Sequence, residues 1–214
     1  MIWNEKVVPV ATLNNQEEAQ EILSCLQESG LKVIEITYRT QYAHSAIEYA
    51  IKNYPEILVG AGTVINRKQC NDAIKAGAKF IVGPGFSKDV AKVCKRKGVL
   101  YIPGVVTPSE VQQAVNCGLH ILKFFPYSTF GGMATVNALS GPFPQVKFML
   151  TNGITSENFS ELLKNPNVIG VGGSWMLKGT HEERLEKMKR IVGAKKNVFA
   201  WCGYWKQFGK SCRF

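Results

Sequence analysis

Apolar positions in this chain alternate between two rhythms. Near-continuous β-rich runs occupy residues 7–12, 33–38, 57–63, 80–85, 99–104, 121–126, 146–151 and 168–173. Such runs predict parallel strands buried on both faces. Between them the spacing becomes helical. In segment 17–28, Ala19, Ile22, Leu23 and Leu26 fall on one face. Gly30, Gly77, Gly98 and Gly118 each stand just before a strand run, where a left-handed glycine can end a helix. Thr155, Ser156, Glu157 and Asn158 supply capping side chains for a helix start there. Strand and helix alternate at a repeat of roughly 20–25 residues, which predicts a single compact TIM (β/α)8 barrel near the lower size limit of that fold. A doubly wound open sheet is the competing architecture, and it lacks a G-x-G-x-x-G turn after its first strand.

Composition narrows the picture. Of 214 residues, 45% are hydrophobic, enough for one sizeable core. No uninterrupted apolar stretch reaches about 18 residues, so no membrane span is expected. The first residues lack a basic region followed by an apolar run, so no signal peptide is expected and a cytoplasmic location follows. Cys25, Cys70, Cys94, Cys117, Cys202 and Cys212 are scattered in sequence, which argues against a disulfide framework. With three histidines, a zinc site is not expected. The net charge of +10 favours anionic partners, such as small phosphorylated substrates, nucleic acid or a membrane surface. Half of that excess comes from Lys195, Lys196, Lys206, Lys210 and Arg213, which have no acid among them. Phe199, Trp201, Tyr204, Trp205, Phe208 and Phe214 interleave with these cations. Basic and aromatic alternation can bind single-stranded nucleic acid or a membrane interface; packing of the aromatics on the barrel or a neighbouring subunit is favoured over both.

Two charged side chains sit in the middle of strand runs: Glu35 in Ile34-Glu35-Ile36-Thr37, and Lys123 in Ile121-Leu122-Lys123-Phe124-Phe125-Pro126. Lys147 begins a run, where its stem can be buried and its head can reach water. An ammonium among apolar residues loses hydration, so burial favours the neutral amine. A neutral lysine is a nucleophile and the usual route to a Schiff base with a carbonyl. A purely structural ion pair of Glu35 with Lys123 or Arg39 is the alternative. Barrel active sites lie at the C-terminal strand ends. That rule adds Arg39, Thr63 and Thr151, although threonine at a strand end is also explained by β-propensity. Asn152-Gly153 and Gly172-Gly173-Ser174 follow the seventh and eighth runs, where barrels often bind phosphate. Glycine lets backbone N–H groups approach an anion, and a following helix N-terminus would add a favourable dipole.

Seven motifs in order then carry a resemblance. They are Ile34-Glu35-Ile36-Thr37-Tyr38-Arg39-Thr40, Val59-Gly60-Ala61-Gly62-Thr63-Val64, Gly83-Pro84-Gly85, Ile102-Pro103-Gly104, Lys123-Phe124-Phe125-Pro126, Gly141-Pro142-Phe143 and Gly172-Gly173-Ser174-Trp175. Over residues 5–193 the chain resembles the 2-keto-3-deoxy-6-phosphogluconate (KDPG) and 2-keto-4-hydroxyglutarate (KHG) aldolases. The resemblance implies a compact TIM barrel, spanning residues 1–194, with a 195–214 extension beyond the usual family end. It implies class I chemistry without metal or cofactor, a small 2-keto acid substrate, usually phosphorylated, and a homotrimer. Lys123 becomes the Schiff-base lysine and Glu35 the general acid/base. Arg39 and Thr63 become the holders of the substrate carboxylate, Pro84 a residue orienting the lysine, and Phe125 an apolar wall. Thr151 becomes a contact on the aldehyde side, and Gly153, Gly172, Gly173 and Ser174 the phosphate-binding turns. The family pattern after the seventh strand is usually Thr-Gly-Gly, whereas this chain reads Thr151-Asn152-Gly153. Asn152 therefore bears on phosphate affinity and substrate choice. Phosphogluconate, phosphogalactonate and hydroxyglutarate derivatives share the keto-acid half and are not separated by these motifs. A sugar-phosphate isomerase or epimerase working without a covalent intermediate, or a ligand-binding scaffold, stands as the alternative class.

Overall fold

Side-chain alternation along the strands sorts the core into two shells, and this sorting positions the site. A computed structural model describes residues 5–198. The strands are β1 (Val7–Ala11), β2 (Val33–Thr37), β3 (Leu58–Gly62), β4 (Phe80–Val82), β5 (Leu100–Ile102), β6 (Gly104–Val105), β7 (Ile121–Phe124), β8 (Lys147–Thr151) and β9 (Val168–Gly173). They form one parallel sheet in the order β5-β4-β3-β2-β1-β9-β8-β7-β6. Its two ends, β5 and β6, are consecutive in sequence. The sheet is therefore a nearly closed barrel, and the open doubly wound sheet is excluded. The run expected at 99–104 is split because Pro103 has no N–H to give the ladder. Its carbonyl still accepts from Lys123 N at 2.8 Å.

The helices are α1 (Gln16–Ser29), α2 (Ala43–Asn53), α3 (Arg67–Lys75), α4 (Lys88–Lys97), α5 (Pro108–Asn116), α6 (Gly132–Ser140), α7 (Phe159–Leu162) and α8 (His181–Val198). Ile34 and Ile36 of β2, and Leu122 and Phe124 of β7, join the large outer core, which also holds helix residues such as Leu23, Leu26 and Ile47. Val33 and Ile121 belong instead to a small second cluster with Val8, Phe80, Ile102 and Met149. Successive strand residues point to opposite faces. Glu35 and Lys123, two residues beyond Val33 and Ile121, therefore share the inner face. The apolar cluster fills the barrel beneath them.

The helix ends follow the expected chemistry with one correction. Asn15 caps α1 by accepting from Glu18 N at 2.9 Å, and Gly30 closes it at φ 77°. Gly77, Gly98 and Gly118 also take positive φ. The helix expected to start at 155–158 begins only at Phe159 and has four residues. Asn158 is occupied locally: its Oδ1 accepts from Thr155 N at 2.9 Å, and its Nδ2 donates to Gly153 O at 2.9 Å. Such side-chain bonds compete with helix formation. The runs at 80–85 and 121–126 also stop early, at Val82 and Phe124. Pro84 and Pro126 cannot extend a ladder, and the Phe125–Pro126 peptide is cis.

Among the described residues no helix is long and apolar enough to cross a membrane. Cys25, Cys70, Cys94 and Cys117 are free thiols. Two that are far apart in sequence meet in space: Cys70 of α3 and Cys94 of α4 lie with their Sγ atoms 3.5 Å apart. The basic and aromatic tail, residues 199–214, lies outside the described residues, as do Cys202 and Cys212.

Candidate active site

Lys123 and Glu35 meet inside the mouth of the barrel. Lys123 Nζ lies 3.9 Å from Glu35 Oε1. Relative exposure is 6% for Lys123 and 0% for Glu35. Glu35 faces Lys123 rather than Arg39. Neither carboxylate oxygen of Glu35 has a hydrogen-bond partner among the described residues. A buried carboxylate with unused acceptors costs free energy, and a separation of 3.9 Å gives only a loose ion pair. This arrangement is poor as a structural bridge and well suited to proton transfer. A carboxylate here needs room behind it. A Cβ on Gly62 would fall 2.0 Å from Glu35 Oε1, so glycine at that step of β3 makes the space. On the other side, Lys123 Nζ lies 5.0 Å from the Phe125 ring centroid.

A cavity of about 670 Å3 opens at Lys123, with Glu35 just behind the lysine. Arg39, Lys123, Phe125, Thr151, Gly153, Gly172, Gly173 and Ser174 all line it. Glu35, Thr63 and Pro84 do not line it directly; Glu35 adjoins Lys123 and Thr63 adjoins Arg39, which do, while Pro84 lies behind Gly104, the ladder partner of Lys123. Thr63 Oγ1 accepts from Arg39 Nε at 3.2 Å. Thr63 holds φ at 55°, a conformation rare for a β-branched residue. Strain of this kind collects at functional sites. The turn carrying Arg39 is pinned on both sides. Tyr38 N donates to Gly62 O at 2.8 Å, and Thr40 Oγ1 donates to Leu13 O at 2.6 Å. The half-buried Tyr38 hydroxyl donates to Asp72 Oδ2 at 2.9 Å; partial burial and this bond together push its phenol far above the ordinary range.

Pro84 acts at one remove from the lysine. A Cβ on Gly104 would strike Pro84 O at 2.0 Å, and Gly104 is the ladder partner of Lys123. The Pro84 segment thus presses on the strand beside the lysine. It is held by Tyr101, whose hydroxyl donates to Gly85 O at 3.1 Å and accepts from Ser87 N at 3.2 Å. Burial pushes the Tyr101 phenol above its ordinary value of 10.0.

The far end of the cavity is made of turns. Thr151 pairs with Gly172 across β8 and β9, and its Oγ1 is buried without a hydrogen-bond partner among the described residues. Asn152 has φ 75° and Gly153 has φ 83°, so the Asn-Gly step takes the left-handed turn in which asparagine can stand for glycine. The expected helix N-terminus behind Ser174 is a three-residue 3-10 turn, Trp175–Leu177, which offers only a small dipole. The sequence reading missed part of the rim. Lys178, Glu18, Glu21 and Arg184 also line the cavity, and Arg184 pairs with Glu21 between α8 and α1. Their only signal was charge, on helices for Glu18, Glu21 and Arg184 and in a loop for Lys178, which ordinarily marks a solvated face. Thr12 was also missed; it lines the cavity and shares a 2.9 Å hydrogen bond with Thr37.

Comparison with known proteins agrees with this geometry. A family model described as "Aldolase: KDPG and KHG aldolase" matches residues 1–191. The "KHG/KDPG aldolase" of Escherichia coli K12 is 37% identical over 196 residues, 88% of this chain and 92% of the relative. A KDPG aldolase from Legionella pneumophila, solved "with pyruvate captured at low pH as a covalent carbinolamine intermediate", shares 36% identity at a TM-score of 0.81, covering 92% of this chain and 96% of that one. The Zymomonas mobilis ZM4 enzyme, solved with 3-phosphoglycerate, shares 34% identity at a TM-score of 0.84, covering 89% and 92%. A barrel with a lysine and a carboxylate facing each other at its mouth, matched along nearly its whole described length, belongs to the KDPG and KHG aldolase family.

Proposed function

We propose that this chain is a class I aldolase that cleaves KDPG to pyruvate and glyceraldehyde 3-phosphate through an imine on Lys123. The approach of Lys123 Nζ to within 3.9 Å of Glu35 Oε1, beside the cavity, carries the reading. The neutral Lys123 amine attacks the C2 ketone to give a carbinolamine, the type of adduct named for the Legionella relative. Loss of water leaves a protonated imine, an electron sink next to the C3–C4 bond. Glu35 takes the C4 hydroxyl proton, directly or through a water, the C3–C4 bond breaks, and the aldehyde leaves. Glu35 then returns a proton to C3 of the enamine. Water hydrolyses the imine and frees pyruvate. One carboxylate serves both transfers because its charge state alternates. Arg39, oriented by Thr63, offers the planar fork that suits the keto-acid carboxylate.

Phe125 walls the pyruvyl group, Pro84 holds the lysine strand, and Thr151 contacts the aldehyde half. Gly153, Gly172, Gly173 and Ser174 bind the phosphate. The same steps convert KHG to pyruvate and glyoxylate, in keeping with the dual name of the E. coli relative. We assign the protein to the cytoplasm as a homotrimer. Sedimentation of the full chain tests the assembly: three copies are expected, and any other number rejects the trimer.

The chemistry is tested by borohydride reduction in the presence of pyruvate, followed by peptide mapping. A pyruvyl adduct on Lys123 is expected, and Lys123→Ala abolishes it. An adduct on another lysine, or none, rejects the imine and favours an isomerase acting without a covalent intermediate. Cleavage rates with KDPG, its galactonate epimer and KHG rank the substrates.

A further inference from the structure

The aldehyde-side turn holds a side chain whose geometry is unexplained by turn formation alone. Asn152 lies at φ 75° between Thr151 and Gly153 and lines the cavity with Lys123. Glycine would adopt that φ without strain, so an asparagine there keeps a side chain at a small conformational cost. That side chain is oriented. Ser128, four residues after Phe124 of β7, donates its hydroxyl to Asn152 Oδ1 at 2.9 Å. Ser128 N also donates to Asn152 O at 3.3 Å, and Tyr127 N to Thr151 O at 3.0 Å. Ser128 is in turn fitted closely to the turn, since a Cβ on Gly153 would come within 2.4 Å of Ser128 Cβ. Asn158 holds the other side through Gly153 O.

With Oδ1 taken by Ser128, the amide has one set of groups left. Its Nδ2 carries two N–H donors and makes no hydrogen bond to the described residues. A primary amide fixed through its oxygen presents donors only, and donors favour an oxyanion. The neighbouring residues Thr151, Gly153, Gly172 and Ser174 line the same end of the cavity, away from the carboxylate-holding Arg39 on β2's turn.

We infer that Asn152 is a specificity-determining residue. Its Nδ2 donates to the terminal oxyanion on the aldehyde half of the substrate, and Ser128 positions it. The inference rests on the aldolase reading and adds a side-chain amide donor to the turns of Gly153, Gly172 and Gly173. Two substrates place different oxyanions there: the phosphate ester of KDPG, and the nearer carboxylate of KHG.

Asn152→Gly tests it, because glycine fits φ 75° and the backbone of the turn is kept. A hydrogen bond to a charged group is worth enough to raise KM about tenfold or more. That rise is expected for whichever of KDPG and KHG the wild-type chain cleaves with the lower KM, with a smaller change for the other. The kcat values and the extent of borohydride trapping with pyruvate should stay within about twofold of wild type, since pyruvate lacks the distal group. Ser128→Ala should shift KM in the same direction by less, and Asn152→Asp should raise it further by setting like charges together. Unchanged KM for both substrates in Asn152→Gly overturns the inference, and so does a fall in KM, which would make the side chain an obstruction. Equal loss of trapping and turnover would make the residue structural and overturn it too. Failure of the wild-type chain to trap pyruvate would instead remove the aldolase reading, and this inference with it.

Discussion

The two ends of the cavity are built from different material. At the end proposed for the keto acid, Glu35 and Lys123 project from the middle of β2 and β7, both nearly inaccessible. Their space is cut by neighbours that tolerate no extra atom, since a Cβ on Gly62 would overlap Glu35 and one on Gly104 would overlap Pro84. At the end proposed for the aldehyde half, Asn152, Gly153 and Ser174 sit in exposed turns, with Asn152 tied by Ser128 and Gly153 by Asn158. Reactive groups must be held to within fractions of an ångström, which strands buried on both faces provide. A group that only selects among substrates can ride on a turn and change without disturbing the core. Under the proposed reading, the chemistry and the choice of substrate are separable in this barrel.

The contrast can be broken most directly at Glu35. Glu35→Gln keeps shape and burial and removes the proton acceptor. Turnover should fall by about two to four orders of magnitude, while pyruvate trapping on Lys123 persists. Turnover within a few fold of wild type would take Glu35 out of the reaction. A second test asks whether rigidity at the keto-acid end is maintained at the expense of stability. Thr63→Gly relieves φ 55°, and strain there is worth about 1–3 kcal/mol, partly offset by the greater freedom of glycine in the unfolded chain. The variant should melt at the same temperature or higher, yet bind keto acid about tenfold more weakly because Arg39 loses its partner. A lower melting temperature with unchanged KM would place Thr63 in the framework only.

The smallest effect is expected at Tyr101, which supports the lysine strand from behind. Tyr101→Phe strips Gly85 O and Ser87 N of a partner and should cost about 1–2 kcal/mol. Its pH signature has a definite sign. Burial raises the folded phenol above its ordinary value of 10.0, so the unfolded chain releases this proton first as the solution becomes alkaline. The contribution is complete below that value and is lost as pH climbs above it toward the folded value. Chemical denaturation from pH 8 to 11 should therefore fall less steeply for Tyr101→Phe than for the wild-type chain. Parallel slopes would sink the assignment.

What was legible in the sequence follows the same division. Strands buried on both faces read as unbroken apolar runs, so a charge within one stands out. Glu35 and Lys123 could be found because their neighbours are Ile34, Ile36, Leu122 and Phe124. The barrel was legible from alternation alone, and the helix-ending glycines from their position. Less visible were features that depend on which elements become neighbours. The break at Pro103 needs the ladder partner, Lys123, to be known. The short α7 depends on Asn158 turning back to Gly153. The contact of Cys70 with Cys94 joins two helices 24 residues apart. Arg184 and Glu21 reach the cavity rim only because α8 packs on α1.

Strand order also bears on when activity can arise during folding. Every ladder joins strands that are neighbours in sequence except one, where β1 meets β9 through Val7 and Val171, while β5 and β6 end the sheet without pairing with each other. Glu35 belongs to the β1–β5 half of the chain and Lys123 to the β6–β9 half. Local pairings precede distant ones because loop closure is slow when the loop is long, so both halves can acquire their ladders before the site exists. Recovery of turnover in a refolding experiment is then a clock for closure of the barrel, and it should lag behind the return of secondary structure.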